Sequence, residues 1–194
     1  AEFHAHFYVP ARSVLVVAGQ VSPSAVDAVK ERFAALSAGE DERTGTSTVP
    51  SSPPTGMVRV ERAQGTVSRL LLAFPGPSLE AESHPALRIG LAVLAGGRTA
   101  RLQRALVEEE QLCLWVQSEL REHQGPGLAS IALELAPDVE AARAEARLLE
   151  LLAVAREEGF TEQELERARR MVVSDWIFGH ERIHQQALAA GFAS

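Results

Sequence analysis

Cysteine, lysine and long hydrophobic runs are nearly missing from this sequence. Cys113 is the only cysteine in 194 residues, which excludes an internal disulfide and leaves the redox compartment open. Lys30 is the only lysine, so nearly all positive charge is arginine. Basic residues number 19 against 26 acidic ones, a net charge of −7 with no basic cluster. That balance argues against nucleic acid or an anionic membrane as a partner. No apolar run reaches the ~20 residues that a bilayer-spanning helix needs. The opening AEFHAHFYVP lacks both the charged and the apolar region of a secretory leader. Nothing repeats at the 20–50-residue spacing of solenoids.

What remains is 46% hydrophobic, ample for a core. The length fits one large domain or two small ones. The arginine, alanine and leucine bias suits a GC-rich bacterial genome, and the chain is expected to be soluble, its compartment open. The first residues read as the interior of a helix carrying Phe3, Phe7 and Tyr8. The expectation is therefore a single α+β domain over residues 1–194, excised from a longer polypeptide.

The apolar run SVLVVAG (13–19), ended by glycine, predicts a buried strand. Ser22 and Pro23 then open a helix with Val26, Val29 and Phe33 on one face. Residues 37–56 are rich in Ser, Thr, Pro and Gly and read as a solvated segment. Strands are predicted at 57–62 and 66–74 around Gln64-Gly65, and an apolar helix at 84–95, broken by Gly96-Gly97. Thr99 is expected to cap a second helix. Residues 112–122 and 127–137 alternate like antiparallel partners. Asp138 begins a long amphipathic helix stopped by Gly159, and Thr161 with Glu164 forms a capping box, with Phe160 stapled onto Leu165. The final helix is expected to run unbroken to about Ala190. The order β-α-β-β-α-α-β-β-α-α points to a two-layer sandwich, a mostly antiparallel sheet with helices on one face.

One motif could carry chemistry. GHERIH contains His180-Glu181-Arg182-Ile183-His184, the H-E-x-x-H pattern of zinc peptidases. On a helix, His180 and His184 share a face and could hold one metal, with Glu181 as general base. A third ligand would have to come from His4, His6, His84, His123 or a distant carboxylate, because no acid follows His184 and Ala190 stands where the extended motif has histidine. The alternative is an ordinary polar helix surface. ELREH (119–123) misses the inverted H-x-x-E-H motif at its first position, where Glu119 stands. LAGGRTARL (94–102) could hold an anion at a helix start or be a tight helix junction. Cys113 reads as a buried structural thiol rather than a nucleophile, Trp115 and Trp176 as core or interface anchors, and Glu108-Glu109-Glu110 as a solvated helix end.

Three stretches in order carry a resemblance over nearly the whole chain. They are FHAHFYVPARSVLVVAGQVSPSAVDAVKERFAAL, LAVLAGGRTARLQRALVEEEQLCLWVQSEL and GFTEQELERARRMVVSDW. Together they resemble the pitrilysin/insulinase family of zinc metallopeptidases, which includes the mitochondrial processing peptidases. The second stretch is similar to that family's glycine-rich segment, with Gly96, Gly97, Arg101 and Leu102 as its structural motif and Leu106, Glu108, Glu109, Leu112 and Val116 at matching places. It departs at Ala95, Ala100 and Leu114, where glycine, serine and tyrosine are usual.

The resemblance implies the domain that follows the zinc domain, with the inverted zinc motif and its zinc lying upstream. It implies no catalytic residue, no metal ligand and no cofactor in this chain, and substrate-binding residues stay open. It also implies sister domains or a homologous partner subunit, with a peptide substrate for the full-length protein. Two alternatives remain: a self-contained zinc hydrolase using His180, Glu181 and His184, and an assembly domain of an inactive companion subunit.

Overall fold

The computed structural model of the chain describes residues 7–37, 39, 67–122 and 125–192. By contact density the chain divides into two units, residues 53–174 and residues 1–52 with 175–194.

The first of these is built on three antiparallel strands. They are β1 (Arg69–Gly76), β2 (Cys113–Arg121) and β3 (Gly127–Leu135), in the order β1-β3-β2. Each strand alternates, as a half-buried strand should. On β3 the side chains of Ala129, Ile131, Leu133 and Leu135 are buried, while Leu128 on the other face is exposed. In the register, Leu72 lies opposite Ile131 and Leu70 opposite Leu133, so the apolar rows of neighbouring strands coincide. On β2, buried Cys113 and Val116 are three residues apart, which alternation alone forbids. A bulge between Cys113 and Trp115 resolves this by leaving Leu114 outside the pairing.

Helices cover the face of the sheet that carries Ile131 and Leu133. Here α2 (His84–Ala95) brings Leu91 and Ala95, and the segment after it brings Leu102 and Leu106. That segment starts as a short α3 (Arg101–Gln103) and widens into a π-helix over Arg104–Glu109. The helix α4 (Ala141–Glu158) adds Ala144 and Leu148, spaced four apart on one face. Burial of side chains such as Leu102, Leu106, Ile131, Leu133 and Leu148 stabilises this core by about 1.5–3 kcal/mol each. A second cluster joins Ala92 and Val93 of α2 to Ala168 on α5 (Glu162–Gly179), with Phe160 and Leu165 packed against it. The α+β sandwich expected from sequence is what the chain adopts.

The other unit contains a 3₁₀ turn (Pro10–Arg12), α1 (Pro23–Ala34) and α6 (Ile183–Phe192). Ser22 caps α1, its hydroxyl accepting from the Ala25 amide at 3.2 Å. None of this unit's described residues is buried.

Several expectations are corrected. Residues 13–19 form no strand, because a strand exists only by pairing and no backbone hydrogen bond ties Val14–Ala18 to another described residue. The strand expected at 66–74 begins at Arg69 and ends at Gly76. Ala100, not Thr99, is the N-cap of α3, and the Thr99 hydroxyl instead meets Arg167. Asp138 does not open α4; it turns the chain in the left-handed region at φ 63°, and the helix starts at Ala141. The last helix is interrupted between Gly179 and Ile183, where His180 turns its amide back to the carbonyls of Trp176 and Ile177. The predicted 57–62 strand, its turn at Gln64-Gly65 and the opening helix over Phe3 lie outside the described residues.

Candidate functional site

Two places in the sequence promised function, the glycine turn and H-E-x-x-H, and the sheet supplies a third.

At the glycine turn, α2 ends at Gly96, which has no room for a side chain, and Gly97, which takes a left-handed conformation. Gly97 sits at φ 79°, and a Cβ on Gly96 would collide with the Ala92 carbonyl and the Met171 methyl. The chain then drops Leu102 fully into the core. Arg101, one residue earlier on the helix, points the other way. Its Nε and Nη2 donate to the two carboxylate oxygens of Glu164, at 2.6 and 2.7 Å. The same carboxylate accepts from the Thr161 amide and hydroxyl, at 2.8 and 2.9 Å, while Thr161 caps the Glu164 amide in return. The Arg101 guanidinium also lies 5.1 Å from the centre of the Phe160 ring. The arginine hydrogen bonds hold the Glu164 carboxyl well below its ordinary range, at about 2, and the pairing raises Arg101 in turn. The arrangement fastens the α2–α3 turn to the start of α5. Arg101 is thus committed to Glu164 through Nε and Nη2, while Arg98 of the same turn is exposed. Beside it, Pro85, Ala86, Ile89, Gly90, Phe160 and Leu165, with Arg169, line a mainly apolar groove of about 460 Å³.

The H-E-x-x-H stretch is not a helical pair. His180 lies in the turn after α5 and His184 in the first turn of α6. The His180 ring stacks on Trp176 at 4.5 Å, and its Nδ1 donates to the Trp176 carbonyl at 2.6 Å. His184 Nε2 lies 3.4 Å from the side-chain Nε2 of its neighbour Gln185. Of the other candidate ligands, His4, His6 and His123 lie outside the described residues. His84 is buried with Nε2 3.1 Å from Glu122 Oε1, a carboxylate it shares with Arg88. Among the described residues no three His, Cys, Asp or Glu side chains gather closely enough to hold a metal.

Cys113 is buried in the core, and desolvation pushes its thiol up to about 11. That is the reverse of what a nucleophile needs. Trp115 is half-buried at the bulge, and Trp176 is exposed.

The feature that sequence reading could not name is the face of the sheet that none of the described helices covers. Its rows across β1, β3 and β2 are Arg69–Glu134–Trp115, Leu71–Ala132–Gln117, Ala73–Ser130–Glu119 and Pro75–Leu128–Arg121. Arg69 donates to Glu134 at 2.9 and 3.0 Å, closing one end. Elsewhere the face mixes exposed apolar groups, Leu71 and Leu128, with exposed Gln117 and Glu119. Alternation along 112–122 and 127–137 showed that such a face exists. The position of β1 beside β3, which completes it, has no local signal.

No helix is long and apolar enough to cross a membrane, among the described residues. No curated protein matches the chain. Solved structures do. A protease from Helicobacter pylori superimposes with a TM-score of 0.81 at 20% identity, over 96% of this chain. The peptidase M16 inactive domain from Pseudomonas fluorescens gives 0.62 at 21% identity over 89% of this chain, which spans 40% of that one. The inactive peptidase domain of a zinc-protease-like protein from Bordetella parapertussis gives 0.58 at 26% identity, over 68% of this chain and 71% of that one. The chain spans 46% of the length of the Helicobacter pylori protease. These likenesses show the fold. Residues 1–172 match the family described as the peptidase M16 inactive domain. This is the family that the three quoted stretches resemble, and the match covers most of the sequence: the chain belongs to the peptidase M16 inactive domain family.

Proposed function

We propose that residues 1–194 form one non-catalytic domain of a longer zinc peptidase and supply part of the wall around its peptide chamber. The zinc and its ligands belong to an upstream domain, and the partners are sister domains of the same polypeptide or a homologous subunit. Gly96, Gly97, Arg101 and Leu102 serve in this reading as a structural fastening and touch no substrate. The observation that carries the wall role is the sheet face that no described helix covers. This face sets Leu71, Ala73, Pro75 and Leu128 beside Gln117 and the ion-paired Glu119 and Arg121, a mixture that suits a polypeptide of mixed sequence better than a single small ligand. The matched structures come from bacteria, which favours a bacterial source.

The test is photo-crosslinking in the full-length parent, with a photoreactive residue at Leu71, Leu128 or the exposed Leu149 of α4 and an extended peptide substrate. Capture from Leu71 and Leu128 but not Leu149 is expected. Capture from Leu149 alone, or from all three equally, contradicts the wall role.

A further inference from the structure

Ser130 is a hydroxyl set into the middle of a sheet face. It lies on β3, the central strand, between Ala73 of β1 and Glu119 of β2, on the face that no described helix covers. Only 8% of it is exposed, and its side chain has no hydrogen-bond partner among the described residues. Buried polar groups in native structures are paired, so this one lacks a partner that the described chain does not supply.

The surroundings leave space for that partner. The next row, Leu71–Ala132–Gln117, lies two residues along the strands, ~6.6–6.8 Å away. Ala73, Ser130 and Ala132 are therefore adjoining small side chains, on strands ~4.7–4.9 Å apart. Taller groups enclose them. Leu71 stands on the β1 side and is 67% exposed, and Leu128, 40% exposed, stands at one end. Gln117 and Glu119 stand on the β2 side, and Glu134 closes the other end. The result is a shallow pit, apolar toward β1 and polar toward β2, with a hydroxyl in its floor. Its charges are matched within the sheet, Arg69 with Glu134 and Arg121 with Glu119. The pit thus suits a neutral occupant. All of these residues belong to the unit of residues 53–174.

We propose that this pit selects a tyrosine-type side chain, an aromatic ring with a hydroxyl tip, from an extended peptide lying on the face. The proposal rests on the reading of the face as chamber wall and adds what that wall prefers. The ring packs on Leu71, Ala73 and Ala132, and its hydroxyl pairs with Ser130. Phenylalanine fills the same space but seals the Ser130 hydroxyl away from water with no partner, and an unmade buried hydrogen bond is penalised more than a made one contributes. Glycine leaves the pit empty. A charged tip loses hydration and meets no unpaired charge.

The test is equilibrium binding to the full-length parent, read by fluorescence anisotropy. Three labelled peptides differ only in a central Tyr, Phe or Gly, and a chelator keeps them from being cut. The tyrosine peptide is expected to bind about fivefold tighter than the phenylalanine one, as a single hydrogen bond allows. In Ser130→Ala that ratio falls to near one. Ala73→Leu, at an exposed position, fills the pit. It is expected to weaken the Tyr and Phe peptides several-fold and to leave the Gly peptide unchanged. The same Tyr-to-Phe ratio in wild type and Ser130→Ala overturns the proposal. So does an Ala73→Leu parent that binds all three peptides as the wild type does. The wall reading fails separately. Cross-linking from Leu71 and Leu128 with no effect of Ser130→Ala sinks the pit and leaves the wall standing. A ratio that depends on Ser130 in a parent without zinc keeps the pit and sinks the peptidase reading.

Discussion

Arg101 and Glu164 show how one pair can fix a junction. They are 63 residues apart, each about one-quarter exposed, and joined by two short parallel hydrogen bonds. Breaking such a pair costs more than the pair contributes, because the remaining charge stays partly desolvated. Arg101→Ala is expected to lower stability by about 2–3 kcal/mol in urea unfolding at neutral pH. The acid limb has a definite sign. Glu164 has its folded-state value depressed to about 2 from 4.5. Its contribution is therefore present above pH 4.5 and lost as pH falls toward 2, on the order of 2 kcal/mol. Between pH 4.5 and 2 the wild type should lose stability that Arg101→Ala has already lost, so the two curves converge. Parallel curves count against the pair. Gly96→Ala should cost about 2 kcal/mol in the same assay, since the Ala92 carbonyl it would strike belongs to a helix and cannot swing away. Thr161 and Glu164 were legible as a capping box because capping is local. Their tie to Arg101 was not, because nothing in a single sequence couples residues so far apart.

Among the elements, those with their own periodicity were read well and those that depend on a partner were not. The helix at 84–95 and the strands near 112–122 and 127–137 fell within two residues of their predicted ends. The run at 13–19 has the composition of a strand, yet composition cannot supply the second row of hydrogen bonds. The break at His180 was missed because Gly179 and the His180 carbonyl bond to Gln186 outweigh a pattern that continues through them. The two faces of the sheet yield a comparison. Ile131→Ala should cost about 2–5 kcal/mol, as deletion of a fully buried aliphatic does. Leu71→Ala, on the face that no described helix covers, should change stability by no more than ~0.5 kcal/mol. A large loss from Leu71→Ala in the isolated chain would mean that the face is already covered within it.

At the scale of the whole molecule, the fold class was legible because strand pairs and helix pairs alternate along the sequence. The order β1-β3-β2 was not, since the neighbour of β1 is chosen by packing. H-E-x-x-H is the instructive case: its residue types are right for zinc, but the backbone between Gly179 and Ile183 is not helical, so the geometry that gives the motif its meaning is missing. The chain is accounted for as an inactive M16 domain, and the most direct measurement is the zinc content of the purified 1–194 chain by atomic absorption, with and without His180→Ala. The account predicts well under one zinc per chain and no change on substitution. One tightly held zinc per chain that disappears with His180→Ala would contradict it.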